Sequence, residues 1–125
     1  MRRTDYVEKA TDHPPCSLEY YEAALNHFNV NLPVLVFSDD IEWCKQQKLF
    51  ESDRFLFSEN TWNLVDLCMQ TLCKYHIIAN SSFSWWGSCL ANSEKTVAPK
   101  KWFGDTGYTA TNQTQDIYRK DWIVI

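Results

Sequence analysis

The fold is decided by residues 75–87, which read Tyr75-His76-Ile77-Ile78-Ala79-Asn80-Ser81-Ser82-Phe83-Ser84-Trp85-Trp86-Gly87. The first half predicts a short buried strand from His76 to Ala79, and the second half predicts a helix running toward Asn92. Between them lies a polar turn with Ser81 and Ser82. Backbone N–H groups at such a helix start have no acceptor within the helix and carry the positive end of its dipole, so they favour an anion, especially phosphate. A plain serine cap on a core helix explains the same residues, and the stretch alone leaves both interpretations open.

Three aromatic residues follow the turn, namely Phe83, Trp85 and Trp86. This is more aromatic surface than a solvated loop carries, so we predict that it wedges the helix against the sheet. At least one of the two tryptophans is expected to be largely buried.

Length and composition restrict the class of protein. A chain of 125 residues is long enough for one domain with a core. The net charge of -4 and the pI near 5.3, with scattered lysines and arginines, argue against a surface for nucleic acid or an anionic membrane. No apolar run approaches the roughly 20 residues of a spanning helix. The five cysteines lack metal-binding spacing and are predicted to be small buried hydrophobes in a reducing compartment.

Short apolar runs alternate with helical patterns along the chain, which predicts an α/β protein with a Rossmann-like parallel sheet. Residues 34–37 and 76–79 are apolar on both faces and are predicted to be inner strands. Further strands are predicted at residues 54–57 and 96–98, and residues 122–125 are predicted to form a last packed segment. A helix reaching Lys74 is predicted to be capped by Asn60 or Thr61 and to bury Val65, Met69, Leu72 and Cys73. Residues 104–115 are predicted to form a polar loop.

Charged residues near the predicted strand ends have competing interpretations. The pair Asp39 and Asp40 could bind magnesium or cap the helix that follows, and capping is the commoner role. Asp66 suits the first turn of a helix, where an acid favours the dipole. Arg2 and Arg3 suit either a phosphate-gripping turn or a solvated chain end.

Three segments resemble, in order, the successive motifs of the family 11 glycosyltransferases, the α-1,2-fucosyltransferases. They are Arg2-Arg3-Thr4-Asp5-Tyr6, Val36-Phe37-Ser38-Asp39-Asp40-Ile41-Glu42-Trp43-Cys44, and Ile77-Ile78-Ala79-Asn80-Ser81-Ser82-Phe83-Ser84-Trp85-Trp86-Gly87. Residues 98–103 and 121–123 resemble the closing segments of bacterial members. The resemblance covers nearly the whole chain.

The resemblance implies the C-terminal, GDP-fucose-binding half of a GT-B-like fold. It implies transfer of L-fucose from GDP-fucose to a sugar hydroxyl, typically of galactose, in an α-1,2 linkage, with inversion and without a required metal or cofactor. The implied partners are GDP-fucose and a galactose-containing glycan, with no nucleic acid. It also implies a cytoplasmic protein, with peripheral association at the inner membrane open for a bacterial full-length enzyme, or a Golgi membrane protein in a eukaryote.

The resemblance further implies a set of residues that hold the donor: Arg2, Arg3, Asp66, Asn80, Ser81 and Ser82. Arg2 is expected to grip the diphosphate and to act in catalysis, with Arg3 in support. Asp66 is expected to read the guanine edge, and Ser82 to contact the β-phosphate.

The sequence departs from the family pattern at its start. The arginine motif of the family begins His-x-Arg-Arg, whereas Met1 stands immediately before Arg2. We therefore predict that residues 1–125 form a single partial domain that lacks the N-terminal half and shows no transfer activity in isolation, and the sequence assigns no residue as the general base. A degenerate GDP-sugar-binding module is the second hypothesis. A receiver-like domain with Asp39 and Asp40 as an acidic pocket is the third.

Overall fold

The computed structural model describes residues 1–59, 62–105 and 114–125. In chain order these ranges contain α1 (Thr4–Glu8), α2 (Leu18–Leu25), β1 (Val34–Val36), α3 (Ile41–Lys45), a 3-10 turn (Lys48–Phe50), β2 (Phe55–Phe57), α4 (Asn63–Thr71), β3 (Tyr75–Ile77), α5 (Ser82–Ala91), β4 (Lys95–Ala98) and β5 (Ile123–Val124).

All strand pairs in the described residues are parallel, which confirms an α/β architecture compatible with a Rossmann-like fold. They form two ladders, β1–β2 and β3–β4–β5. The middle strand of the larger ladder is β4, three of whose four residues are buried.

The prediction that residues 34–37 and 76–79 are inner strands of one sheet is wrong for this structure. Strand β1 pairs with β2 alone and β3 pairs with β4 alone among the described strands. Their remaining edges face a common cavity that both strands line. The strands are apolar on both faces because they border this cavity and the cores rather than solvent.

Each ladder has its own hydrophobic core. The first core is built on Val36, Cys44 and Phe50, packed between β1, α3 and the 3-10 turn. The second is built on Ile78, Ala98, Trp102 and Trp122. The hydroxyl of Tyr20 on α2 donates to the carbonyl oxygens of Ile78 (2.7 Å) and Val97 (3.3 Å), so it fastens this helix to the second ladder.

Helix boundaries follow local capping chemistry where the sequence supplies it. The hydroxyl of Ser17 accepts the N–H of Tyr20 at the start of α2 (3.3 Å). The carboxylate of Asp40 accepts the N–H of Trp43 at the start of α3 (3.3 Å). Helix α5 ends at Ala91, and its C-cap residue Asn92 has a φ of 51°, the left-handed conformation that asparagine tolerates better than most residues.

The buried stripe predicted for α4 is wrong. Leu72 is 85% exposed and Val65 is 39% exposed, whereas the polar residue Gln70 is buried. Helix α4 packs on α5 at Gly87, where an added Cβ would overlap the Gln70 side chain. Because Gly87 has no side chain, Gln70 fills the contact between α4 and α5 in place of the predicted apolar stripe. The predicted caps at residues 60 and 61 and most of the predicted polar loop lie outside the described residues.

The aromatic cluster after the polar turn divides into a packed and an exposed part. Trp85 is half-buried, packs against the second core and donates from Nε1 to the carbonyl oxygen of Ile117 (2.7 Å). Trp86 is 53% exposed and Phe83 is 37% exposed, so the prediction that all three wedge the helix is wrong for these two. Consecutive helical positions point about 100° apart, so Trp86 is turned away from the direction in which Trp85 packs.

All five cysteines are free thiols. Cys44 alone is buried, Cys68 is exposed, and Cys16, Cys73 and Cys89 are half-buried, which corrects the prediction that all five are core residues. Burial raises the pKa of the Cys44 and Cys16 thiols above the ordinary value of 9.0, which disfavours thiolate chemistry at both.

We predict that Trp85→Ala lowers the free energy of unfolding by about 3 kcal/mol, because it empties a core contact and removes the Ile117 hydrogen bond. Trp86→Ala is the matched control and is expected to cost less than about 1 kcal/mol. Thermal unfolding measures both changes. Equal shifts for the two variants would contradict the division of the cluster.

The buried imidazole of His76 predicts a pH dependence of stability. Its Nε2 lies 2.9 Å from the carbonyl oxygen of Gln70, and Ser93 lies at Nδ1. Desolvation lowers the pKa of His76 below its ordinary value of 6.5. The unfolded state therefore binds the proton more readily than the folded state. The contribution of neutral, buried His76 to the free energy of unfolding is thus present above pH 6.5 and is lost as the pH falls below it. Between pH 7.5 and 5, the melting temperature of His76→Gln should fall less steeply than that of the wild type. His27→Gln, at an exposed position, should keep the wild-type slope.

Candidate functional site

A cavity of about 760 Å³ lies between the two ladders. The polar end of this cavity is lined by Arg2, Asp39, Asp66, Ser81 and Ser82. Asp39 follows β1, and Ser81 and Ser82 follow β3. Arg2 contacts Asp39, and Asp66 contacts Ser58, which follows β2. In parallel α/β proteins, ligands bind outside the carboxyl ends of the strands. The polar end of the cavity is therefore the candidate site.

Helix α5 begins at this edge. Ser81 is the N-cap residue, but its hydroxyl makes no capping hydrogen bond. The first backbone N–H of the helix to find a carbonyl acceptor is that of Trp85, which donates to the carbonyl oxygen of Ser81 (3.0 Å). The N–H groups of the first turn have no intrahelical acceptor, and Ser82 is exposed beside them. The start of α5 can thus offer several donors and the positive end of a ten-residue helix to an anion.

Arg2 reaches the same edge from the other ladder. Its guanidinium pairs with Asp5 (2.8 Å) and with Asp39 (3.3 Å), and its side chain is 40% exposed. An exposed ion pair of this kind contributes little to stability. An incoming diphosphate can therefore replace the Asp5 carboxylate at small cost.

The carboxylate of Asp39 fixes the backbone around Arg2. It accepts the N–H of Arg3 (2.9 Å), the N–H of Thr4 (3.2 Å) and the hydroxyl of Thr4 (2.6 Å). Helix α1 has no cap from its own N-cap residue, Arg3, so Asp39 supplies the cap from the end of β1. Sequence reasoning missed this role because the contact spans 35 residues and leaves no local signal.

Arg3 points elsewhere. Its guanidinium stacks 3.7 Å above the ring of Trp43 and pairs with Asp40 at 3.4 Å. It does not line the cavity. Of the two arginines expected at the donor, the structure therefore brings only Arg2 to the candidate site, while Arg3 ties α1 to α3.

Asp66 lies in the first turn of α4 and lines the cavity. Its carboxylate accepts the hydroxyl of Ser58 (2.6 Å), which directly follows β2. This contact places Asp66 at the carboxyl edge, on the same cavity as Ser82. Asp66 also lies in the first turn of α4, where an acidic side chain interacts favourably with the helix dipole. This interaction is compatible with its position at the cavity.

Asn80 is 1% exposed, and its side chain serves the protein. Its Nδ2 donates to the carbonyl oxygens of Pro14 (2.9 Å) and Trp102 (3.0 Å), and its Oδ1 accepts from the Cys16 thiol (3.4 Å). The residue does not line the cavity. Asn80 therefore shapes the turn that Ser81 and Ser82 occupy.

The magnesium site and the receiver-like acidic pocket both depend on Asp39 and Asp40. Asp39 and Asp40 are both engaged with the arginines and with helix starts. In the part of the chain that the structure describes, no group of three or more His, Cys, Asp or Glu side chains is arranged to hold a metal ion. The geometry thus favours capping over magnesium binding for this aspartate pair.

These features define an α/β protein with a candidate ligand site at the edge between two parallel ladders. The model of glycosyl transferase family 11 matches residues 1–125, so the chain belongs to this family and the resemblance read from its motifs is confirmed. An alpha-1,2-colitosyltransferase of Escherichia coli is 45% identical over 115 residues, covering 82% of this chain and 39% of that protein. The O-antigen biosynthesis glycosyltransferase WbnK of Escherichia coli is 30% identical over 133 residues, covering 98% of this chain and 42% of that protein.

The chain spans about two fifths of the length of these relatives. No solved structure gave a significant match. Across residues 1–59, 62–105 and 114–125, no helix has the length and apolar character needed to cross a membrane.

We predict that Asp39→Ala frees the start of α1. The amides of Arg3 and Thr4 should exchange with solvent about tenfold faster, because a cap is worth about 0.5–2 kcal/mol. Hydrogen exchange followed by NMR measures this. Asp5→Ala is the control, since Asp5 contacts the Arg2 side chain but caps neither amide; equal exchange rates in the two variants would contradict the capping role.

Proposed function

We propose that this chain is the donor-binding half of an inverting, metal-independent α-1,2-fucosyltransferase with GT-B-like architecture. It would hold GDP-fucose at the carboxyl edge of the two ladders for transfer to a galactose-containing glycan. Family membership supports sugar transfer from a nucleotide-sugar donor. The α-1,2 linkage is supported by the name of the 45% identical relative.

One observation carries the assignment of the donor site. Arg2, Asp66 and Ser82 come from three separate segments of the chain and line one cavity. A phosphate group needs a cation and N–H or O–H donors, and a guanine base needs an acceptor for its N–H groups. The cavity offers these groups together.

The proposed mechanism uses these groups as the sugar–phosphate bond breaks. Negative charge then grows on the departing GDP, and Arg2 together with the first turn of α5 stabilises it more strongly than in the ground state. Asp66, oriented by Ser58, accepts from the guanine N–H groups, since an ionised carboxylate has about four acceptor sites. None of the residues assigned here is proposed to bind the acceptor hydroxyl or to act as its general base.

A second candidate concerns the donor sugar. The 45% identical relative is named for colitose rather than fucose. The residues assigned here contact the nucleotide, so they serve either sugar equally. Competition of GDP-fucose and GDP-colitose against GDP therefore measures whether other residues of the cavity prefer one of the two sugars.

The test is the affinity of the 125-residue chain for GDP, measured by calorimetry. Arg2→Ala should weaken GDP binding by about 10- to 100-fold, because it removes a charge-assisted contact. Asp66→Asn should weaken GDP but not ADP, because an amide cannot accept from both guanine N–H groups. Isolated chain mixed with GDP-fucose and a galactoside should show no measurable transfer.

The matched controls are Arg119→Ala and Asp53→Asn, which change exposed residues away from the cavity and should leave GDP affinity unchanged. Equal losses of GDP and ADP affinity in Asp66→Asn would overturn the guanine assignment. Unchanged affinity in Arg2→Ala would overturn the diphosphate assignment.

A further inference from the structure

Two neighbouring helices, α4 and α5, leave an apolar surface exposed to solvent. The helices pack against each other where Gln70 meets Gly87, so exposed side chains on their outer sides lie next to one another. These side chains recur every three or four residues, which places them on one face of each helix. They are Leu64, Cys68 and Leu72 on and directly after α4, and Phe83, Trp86 and Leu90 on α5. We call these six residues the two-helix face.

The two-helix face carries no charge. Helix α5 contains no Asp, Glu, Lys or Arg, and the single charged residue of α4, Asp66, lines the cavity. Helix α2 shows the ordinary pattern of a solvated helix, because Glu19 and Glu22 are on its exposed side. A helix at the surface of a globular protein directs its apolar residues inward and its polar residues outward. The pattern of α4 and α5 is therefore typical of helices that are covered on their outer side.

The size of the two-helix face matches one half of a protein–protein interface. Its five large side chains are between 37% and 85% exposed. A fully exposed side chain of this size offers about 200 Å², so the five together present roughly 600 Å² of apolar surface. The largest apolar patch on a typical monomer measures about 300–600 Å² and is often functional. Two such faces would bury roughly 1,200 Å² in total, which is the lower end of the range for specific interfaces.

A second copy of this chain is the occupant that these features favour. The chain has a net charge of -4, so two copies repel each other where their charged surfaces meet, and the two-helix face is free of that repulsion. A two-fold axis brings the same patch of both copies together, so an apolar patch meets an equally apolar one. Helices that lie on anionic membranes carry Lys and Arg on their polar side, whereas α4 and α5 contain neither.

We propose that this protein forms a two-fold symmetric dimer through the two-helix face, with α4 and α5 of one copy packed against α4 and α5 of the other. Trp86 lies in the middle of the α5 stripe and is the main anchor, since central tryptophans contribute most to such interfaces. Interfaces of this small size are typical of reversible association, so we expect a Kd of about 1–100 µM. Thermal unfolding at concentrations below this Kd reports on the single chain. The inference goes beyond the proposed donor site and does not depend on it.

Sedimentation equilibrium of the 125-residue chain under reducing conditions, from about 5 to 500 µM, tests the proposal. Leu90→Lys places a buried charge of the same sign in each copy, so the Kd should rise about 100-fold or more. Val30→Lys is the matched control, because it makes a similar change at an exposed position outside the two-helix face, and its Kd should equal that of the wild type. A wild type that stays monomeric at the highest concentration would overturn the proposal. Equal Kd values for the wild type and Leu90→Lys would overturn it as well.

The thiol of Cys68 locates the interface without any substitution. It is exposed within the two-helix face, so its alkylation by iodoacetamide should slow about fivefold or more as the concentration rises and the dimer covers it. Cys16 and Cys89 lie outside this face and should keep constant rates. Dimers with a constant Cys68 rate would use another surface, and this result would contradict the proposal.

Lipid is the other occupant that the measurements distinguish. A monomeric wild type that co-sediments with phosphatidylcholine vesicles, with binding lost in Leu90→Lys, would assign the two-helix face to a membrane and overturn the dimer. None of these readouts needs a nucleotide. Failure of GDP binding would therefore count against the proposed function alone, and absence of dimers would count against the two-helix face alone.

Discussion

The structure depends on one buried amide. Asn80 lies between the second ladder and the N-terminal loop, and its side-chain donors and acceptor are used on Pro14, Trp102 and Cys16, while its carbonyl accepts the Tyr6 hydroxyl (3.1 Å). Leaving such a group unpaired would cost about 1–3 kcal/mol for each lost partner, so the segments must meet in this arrangement. The turn before α5 is fixed as a result, and with it the direction in which Ser81 and Ser82 face.

Features that depend on neighbouring residues were predictable from the sequence. The parallel α/β class, the cap of Ser17 on α2, the cap of Asp40 on α3 and the strand and helix around the polar turn all follow from patterns within a dozen residues. The placement of Ser82 and Asp66 at one cavity also agrees with the donor-site prediction, although their roles stay proposals.

Features that depend on distant partners were not predictable. The apolar spacing of α4 gave no sign that Gln70 would be buried, because that contact exists only where Gly87 of α5 leaves room. The cap of Asp39 on α1 joins two segments with no shared local pattern. Arg3 carries the same charge as Arg2, and only the position of Trp43 shows that it turns away from the cavity.

The order of the strands explains why the polar residues gather where they do. The ladders border the cavity through β1 and β3, so the chain moves outward in opposite directions from β1 to β2 and from β3 to β4. Connections between parallel strands are right-handed as a rule, and from this order the rule predicts α3 and α5 on opposite faces. A crevice opens at the carboxyl edge where the connections diverge, and this is the place where doubly wound sheets bind ligands. Arg2 is held beside the first ladder by Asp39, and α5 follows β3 of the second ladder, so the geometry of the proposed donor site depends on the spacing between the two ladders.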